Sequence, residues 1–165
     1  MALRLVQEIH IEEMKHPYIQ KNVAFVVGAL HTAMVAEDNI ELSRLALILP
    51  LLMDDQIVEK VNAQSKLYSF ESLVTTNSIP LANYNERYLS TLALLYQAVA
   101  LLLDVGVVSM RNGVLTRKDT NILSGMNASC DCQSLNTMCM AMSKLLNMTE
   151  GKNVARMYQL LKIEL

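Results

Sequence analysis

The 165 residues amount to one domain, enough for a single core that buries roughly 70% of the surface the unfolded chain exposes. Hydrophobic residues make up 52% and charged residues only 18%, against about 25% charged in an ordinary globular protein; the mean hydropathy is +0.25. With 14 Lys+Arg against 16 Asp+Glu, there is no basic excess to displace counterions from phosphates, which excludes strong non-specific DNA binding by the chain itself. So much apolar surface means either a dense core or a large obligate interface. The interface is the favoured reading, because such interfaces resemble a core cut in half. Three cysteines and eleven methionines fit a reducing cytoplasm. The opening MALRLVQEIHIEE carries acidic residues where a secretory h-region would run on, so no secretory leader is expected. The longest uncharged run, Tyr88 to Leu103, has 16 residues, short of the ~20 a membrane span needs. A buried helix is expected there, and no membrane partner.

In chain order, residues 2 to 14 are helix-like, with Ala2, Leu5, Val6 and Ile9 on one face, and Pro17 ends the segment. A second helix covers 20 to 36, uncharged between Asn22 and Ala36. Ala24, Gly28 and Thr32 stand four apart on it, a strip of small side chains that suits close approach of another helix. Glu37-Asp38-Asn39 makes a turn before an apolar stretch at 40 to 53. Pro50 has no N–H to give, so that helix should kink or stop near Leu49. Asp54 or Asp55 can cap a short helix through Val61, with Ile57, Val58 and Val61 inward. Ser69 can cap another to about Thr76, closed by Pro80.

The longest helix is expected from Asn83 to Val105, with Arg87, Ser90, Gln97 and Asp104 as one narrow polar stripe. Such a helix should be packed on most sides. The period then changes: Val107 to Met110 and Val114 to Thr116 flank Asn112-Gly113, which suits both positive-φ positions of a type I′ hairpin turn. After Arg117-Lys118-Asp119 the pattern is poor. Leu135, Met138, Cys139, Met142, Leu145 and Leu146 then trace a helical face after a cap at Asp131 or Ser134. Thr149 can cap a last helix with Val154, Met157, Tyr158, Leu161 and Leu165 as its stripe. The expected fold is mostly α and winged-helix-like, a single domain over 1–165 of about seven helices with one small β-hairpin as the wing.

In a winged-helix DNA reader, the helix before the wing presents Arg, Lys, Asn or Gln to base edges. Here that helix offers only Arg87 and Gln97. Arg111 at the wing tip, with Arg117 and Lys118 just after it, can touch phosphates, though three basic residues on a hairpin are more often a solvated turn. Cys130-Asp131-Cys132 with Cys139 is a poor zinc pattern, because one intervening residue is tight for tetrahedral geometry and His10, His16 and His31 lie far off in sequence. His31, on an uncharged helix, reads as a core histidine rather than a catalytic one. The carboxylate pairs Glu12-Glu13, Glu37-Asp38 and Asp54-Asp55 fall at helix ends and turns, where capping and solvation explain them. There is no phosphate loop, nucleophile elbow or HExxH. The C-terminal methionines suit either flexible core filler or an adaptable binding surface. No catalytic residue, cofactor, metal or small-molecule substrate is expected.

Five segments together carry a resemblance. They are NVAFVVGALHTAMVA, LSRLALILPLLM, SFESLVTTN, NERYLSTLALLYQAVALLLDVGVVSMRNGVLT and the ending VARMYQLLKIEL. Their order resembles the middle components of bacterial ABC-three-component defence systems, which include the Lamassu type, over roughly residues 20 to 165. The chain departs from that pattern at MDDQIVEK, where such proteins often continue into a basic, Thr-Arg-containing segment, so contacts made there are not carried over. The resemblance implies an adaptor beside an SMC-like ABC ATPase subunit and an effector subunit, commonly a nuclease, that meets DNA only through the complex. The competing readings are a winged-helix transcription regulator and a small enzyme.

Overall fold

The computed structural model describes residues 23–63, 69–79, 81–118 and 133–164. The expected helix over 2–14, Pro17, Pro80, Cys130 and Cys132 lie outside them. The described chain runs as α1 (Val23–Ala36), β1 (Asn39–Glu41), α2 (Leu42–Leu52), α3 (Asp55–Ala63), α4 (Phe70–Thr76), α5 (Tyr84–Asp104), β2 (Val108–Arg111), β3 (Val114–Arg117), α6 (Gln133–Thr149) and α7 (Val154–Leu160). Seven helices and one small antiparallel sheet make a mostly helical molecule, as the apolar periodicity implied.

Local chemistry explains most of the boundaries. The Asp54 carboxylate accepts from the Ile57 amide (3.1 Å) and opens α3, whose Ile57, Val58 and Val61 are all buried. Ser69 Oγ accepts from the Ser72 amide (3.1 Å) and opens α4 at the expected residue. At the other end of α3, Lys144 Nζ of α6 donates to the carbonyls of Val61 (3.1 Å) and Asn62 (2.8 Å), placing a cation where the helix dipole is negative. Asn112 (φ 51°) and Gly113 (φ 76°) form the hairpin turn in left-handed conformations.

Four expectations are corrected. Residues 39–41 are a strand, not the start of a helix; Ile40 lies opposite Leu115, and the sheet has three strands in the order β1-β3-β2 rather than two. A three-residue strand has no period of its own, so its identity comes from its partner. Second, of the kink or stop expected near Leu49, the stop does not occur: α2 runs through Pro50 to Leu52. The helix continues because Leu51 and Leu52 are both buried, and burial of a leucine is worth about 1.5–3 kcal/mol each. Tyr84 of α5 also donates its hydroxyl to the Leu47 carbonyl of this helix (2.6 Å). Third, of the two expected caps Ser134 lies inside α6, and Asp131 is outside the described residues. Fourth, Thr149 belongs to the last turn of α6, where its hydroxyl donates to the Leu145 carbonyl (2.8 Å). Asn153 takes the capping role instead, accepting from the Arg156 amide (3.2 Å). Helix α7 stops at Leu160, and Lys162 beyond it is left-handed (φ 52°).

The core lies where α5 packs on α1 and on α2, with α6 closing over α1, α2 and α3. Phe70, Leu47, Ile48, Leu51, Ala98 and Leu145 are among its residues with no exposed surface or almost none. Met138, Met142, Met148 and Met157 are buried filler, whereas Met140 is exposed.

Candidate functional site

Helix α5 was expected to be packed on most sides, and it is not. Tyr84, Tyr88, Thr91, Leu95, Ala98, Val99 and Leu102 face the core. The opposite half is open among the described residues. Glu86, Ser90, Gln97 and Asp104 form a polar line along it. On one side of that line stand Leu89, Ala93, Tyr96 and Ala100, all exposed and spaced 4, 3 and 4. On the other side stand Leu101 and Val105. Leu89 is 51% exposed, Tyr96 58%, Leu101 48% and Val105 51%. Among the described residues the remaining large exposed apolar side chains are Val35, Ile79, Met110 and Met140, so half of that group sits on α5 and the residue just after it. The signal was present in the sequence: residues bordering a polar line at helical spacing share its solvent side, however oily they are. Composition alone cannot separate an apolar residue in a core from one waiting on a surface.

The inner half of α5 is fixed by polar contacts at its N-terminal end. Arg87 forms an ion pair with Asp54, the residue that caps α3. The Tyr88 and Tyr158 hydroxyls lie 3.0 Å apart, with their rings edge to face at 5.8 Å between centroids. Asn85 Oδ1 accepts from the Glu164 amide (3.2 Å), which ties the chain after α7 to the start of α5. Burial raises the Tyr84 hydroxyl well above its ordinary value of 10.0, and nearby Tyr158 and Tyr88 add to the effect. Tyr158 is raised as well, by burial first, then by its hydrogen bond with Tyr88, with Tyr96 contributing. Alongside, an open groove of about 810 Å³ is lined by Val154, Ala155, Tyr158, Gln159, Lys162 and Ile163 among others.

A second polar cluster closes the junction of α1, α2 and α6. The Arg44 guanidinium is 9% exposed as a residue and grips both Glu37 carboxylate oxygens (2.7 and 2.9 Å). It also donates to the Thr149 hydroxyl (2.9 Å) and the Leu146 carbonyl (2.5 Å). A bidentate arginine whose three nitrogens all donate at a helix C-terminus is a structural clamp. Nothing in the sequence flagged it, since its partners lie up to 105 residues apart.

The basic residues of the hairpin separate. Arg117 is held by Asp38 (2.6 Å), an ion pair that joins β3 to the residue before β1. Arg111 and Lys118 are exposed. In the preceding helix, Arg87 is turned to Asp54, which leaves Gln97 as the exposed side chain of the base-reading pair. His31 is buried, 6% exposed, in α1. Of the small-residue strip, Thr32 meets α6, its hydroxyl 3.0 Å from Cys139 Sγ, while Ala24 is exposed. Among the described residues no group of three or more His, Cys, Asp or Glu is placed to hold a metal ion. No helix among them is long and apolar enough to cross a membrane.

Among the described residues, fold and surface together define a mostly helical structure with a three-stranded antiparallel sheet and one helix that these residues cover on one half. The family model for the ABC-three component (ABC-3C) system Middle Component 3 matches residues 18–165, and the chain belongs to that family. No curated protein matches it, and no solved structure matches it.

Proposed function

We propose that this chain is a non-catalytic adaptor that links an SMC-like ABC ATPase to an effector subunit, commonly a nuclease, in a cytoplasmic complex of the Lamassu type directed against phage or plasmid DNA. One observation carries the reading: the outer half of α5 keeps Leu89, Tyr96, Leu101 and Val105 in water. Large apolar patches of this kind mark protein–protein surfaces. Membership of a three-component family supplies a reason for partners to exist. The scaffold reads as a winged helix elaborated by α3 and α4. The order helix, strand, helix, long helix, hairpin and the sheet order β1-β3-β2 support that reading.

The same geometry argues against the regulator alternative. A reading helix needs several free donors toward the groove, and α5 turns Arg87 inward to Asp54. Whatever DNA contact the chain makes falls to Arg111, Arg117 and Lys118, and Arg117 is already engaged by Asp38. DNA is met chiefly through the assembled complex.

Coexpression with the ATPase and effector encoded beside it tests the proposal. A complex of the three that survives gel filtration is expected, with a poorly soluble chain when it is made alone. A highly soluble monomer that joins neither subunit would end the adaptor reading. Sequence-specific, salt-sensitive DNA binding by the isolated chain would replace it with the regulator.

A further inference from the structure

We propose that the outer half of α5 receives a single amphipathic helix from a partner protein, one whose apolar stripe is bordered by lysine or arginine. The existence of such a partner rests on the adaptor reading; the chemistry of the docking helix comes from α5 itself.

Shape comes first. Leu89, Ala93, Tyr96 and Ala100 alternate large and small along one line, about 16 Å of helix at 1.5 Å per residue. Large residues separated by alanines make ridges and hollows that accept the ridges of another helix. Charge decides what that helix carries. Glu86 and Asp104 are exposed on the same half, about 27 Å apart along the axis. Among the described residues no lysine or arginine of α5 offsets them, because Arg87 is drawn away to Asp54. The face is apolar with an acid near each end, and the complement is apolar with basic borders.

The charge pattern also argues against a second copy of this chain as occupant. An antiparallel two-fold pairing of α5 would bring Glu86 of one copy toward Asp104 of the other, and a parallel pairing would bring like residues together. Either juxtaposes uncompensated carboxylates, which is a device that rejects the wrong partner.

The probes are two synthetic helical peptides of about 18 residues, long enough to span the two acids. Both carry leucines at helical spacing; one is bordered by lysines and the other by glutamates. Fluorescence anisotropy with the full chain should show the lysine peptide binding more tightly by roughly tenfold or more. Glu86→Lys with Asp104→Lys should invert that order. Leu89→Ser with Tyr96→Ser should weaken the lysine peptide by roughly tenfold and leave the thermal melt in place. Equal affinity for the two peptides, or indifference to these substitutions, overturns the proposal. A dimer of the unmodified chain that the Leu89→Ser, Tyr96→Ser variant splits would overturn it in favour of a second copy. A gain in peptide affinity on Leu5→Glu with Ile9→Glu would overturn it in favour of the chain's own N-terminal segment. The adaptor reading fails separately: charge-inverting peptide binding with no copurification of the co-encoded subunits would leave this surface in place and remove the role assigned to it.

Discussion

The junction of α1, α2 and α6 and the outer half of α5 treat their side chains in opposite ways. At the junction, Arg44 is buried and each of its donor groups meets an acceptor of the same chain. On α5, Leu89 and Tyr96 are more than half exposed and the described chain places nothing over them. One region completes itself and the other is left for something else. Self-completion holds a fold in one arrangement, and an uncovered apolar face costs little stability while it offers a great deal of association energy.

The comparison is easiest to break at the clamp. Arg44→Met should destabilise the chain by about 3–5 kcal/mol in urea unfolding, because it strands Glu37 in a partly buried site without its partner. Adding Glu37→Gln should recover part of that loss. A clamp variant as stable as the parent would mean that the junction is held by packing alone. Gly113→Val comes next, at about 1–3 kcal/mol, since a β-branched residue resists the turn's φ of 76°. A neutral result there would remove the hairpin as a fixed element.

A third effect appears with rising pH. Burial raises Tyr84 and Tyr158 above the ordinary 10.0, so the unfolded chain gives up these protons first. Their contribution is fully present below about pH 10 and is lost as pH climbs beyond it. Chemical-denaturation midpoints should therefore fall above pH 10, and the fall should shrink in Tyr158→Phe. A flat alkaline limb would show that the tyrosines at the start of α5 are hydrated. At the small end, Leu89→Ser with Tyr96→Ser should shift stability by no more than about 0.5 kcal/mol while abolishing copurification with the co-encoded subunits. Arg111, Arg117 and Lys118 changed together to Glu should leave assembly intact; loss of assembly would make the wing a partner contact.

Much of the fold was legible because it is written locally. Ser69, Asp54 and Asn112-Gly113 each act within a few residues, and each sits where its own chemistry demands. Beyond that range sequence reading fell short. Strand β1 is three residues whose partner lies in β3. Pro50 stays helical because the residues after it are buried. Thr149 is occupied by Arg44, so capping passes to Asn153. The candidate surface was half legible: the apolar excess was evident, but its position was misjudged, since α5 read as enclosed. Its polar line was the clue to the open side.

The β2–β3 hairpin is fixed to the rest of the molecule. Its tip is stapled to the body, with the Leu42 amide bonded to the Gly113 carbonyl (2.8 Å) and the Arg117 amide to the Asp38 carbonyl (2.9 Å). A hairpin anchored at its turn and along one edge cannot swing as a flap. Force applied to Arg111 would arrive at the corner where α1 gives way to α2, beside Glu37 and Arg44, and the hairpin would behave as a handle on the whole domain.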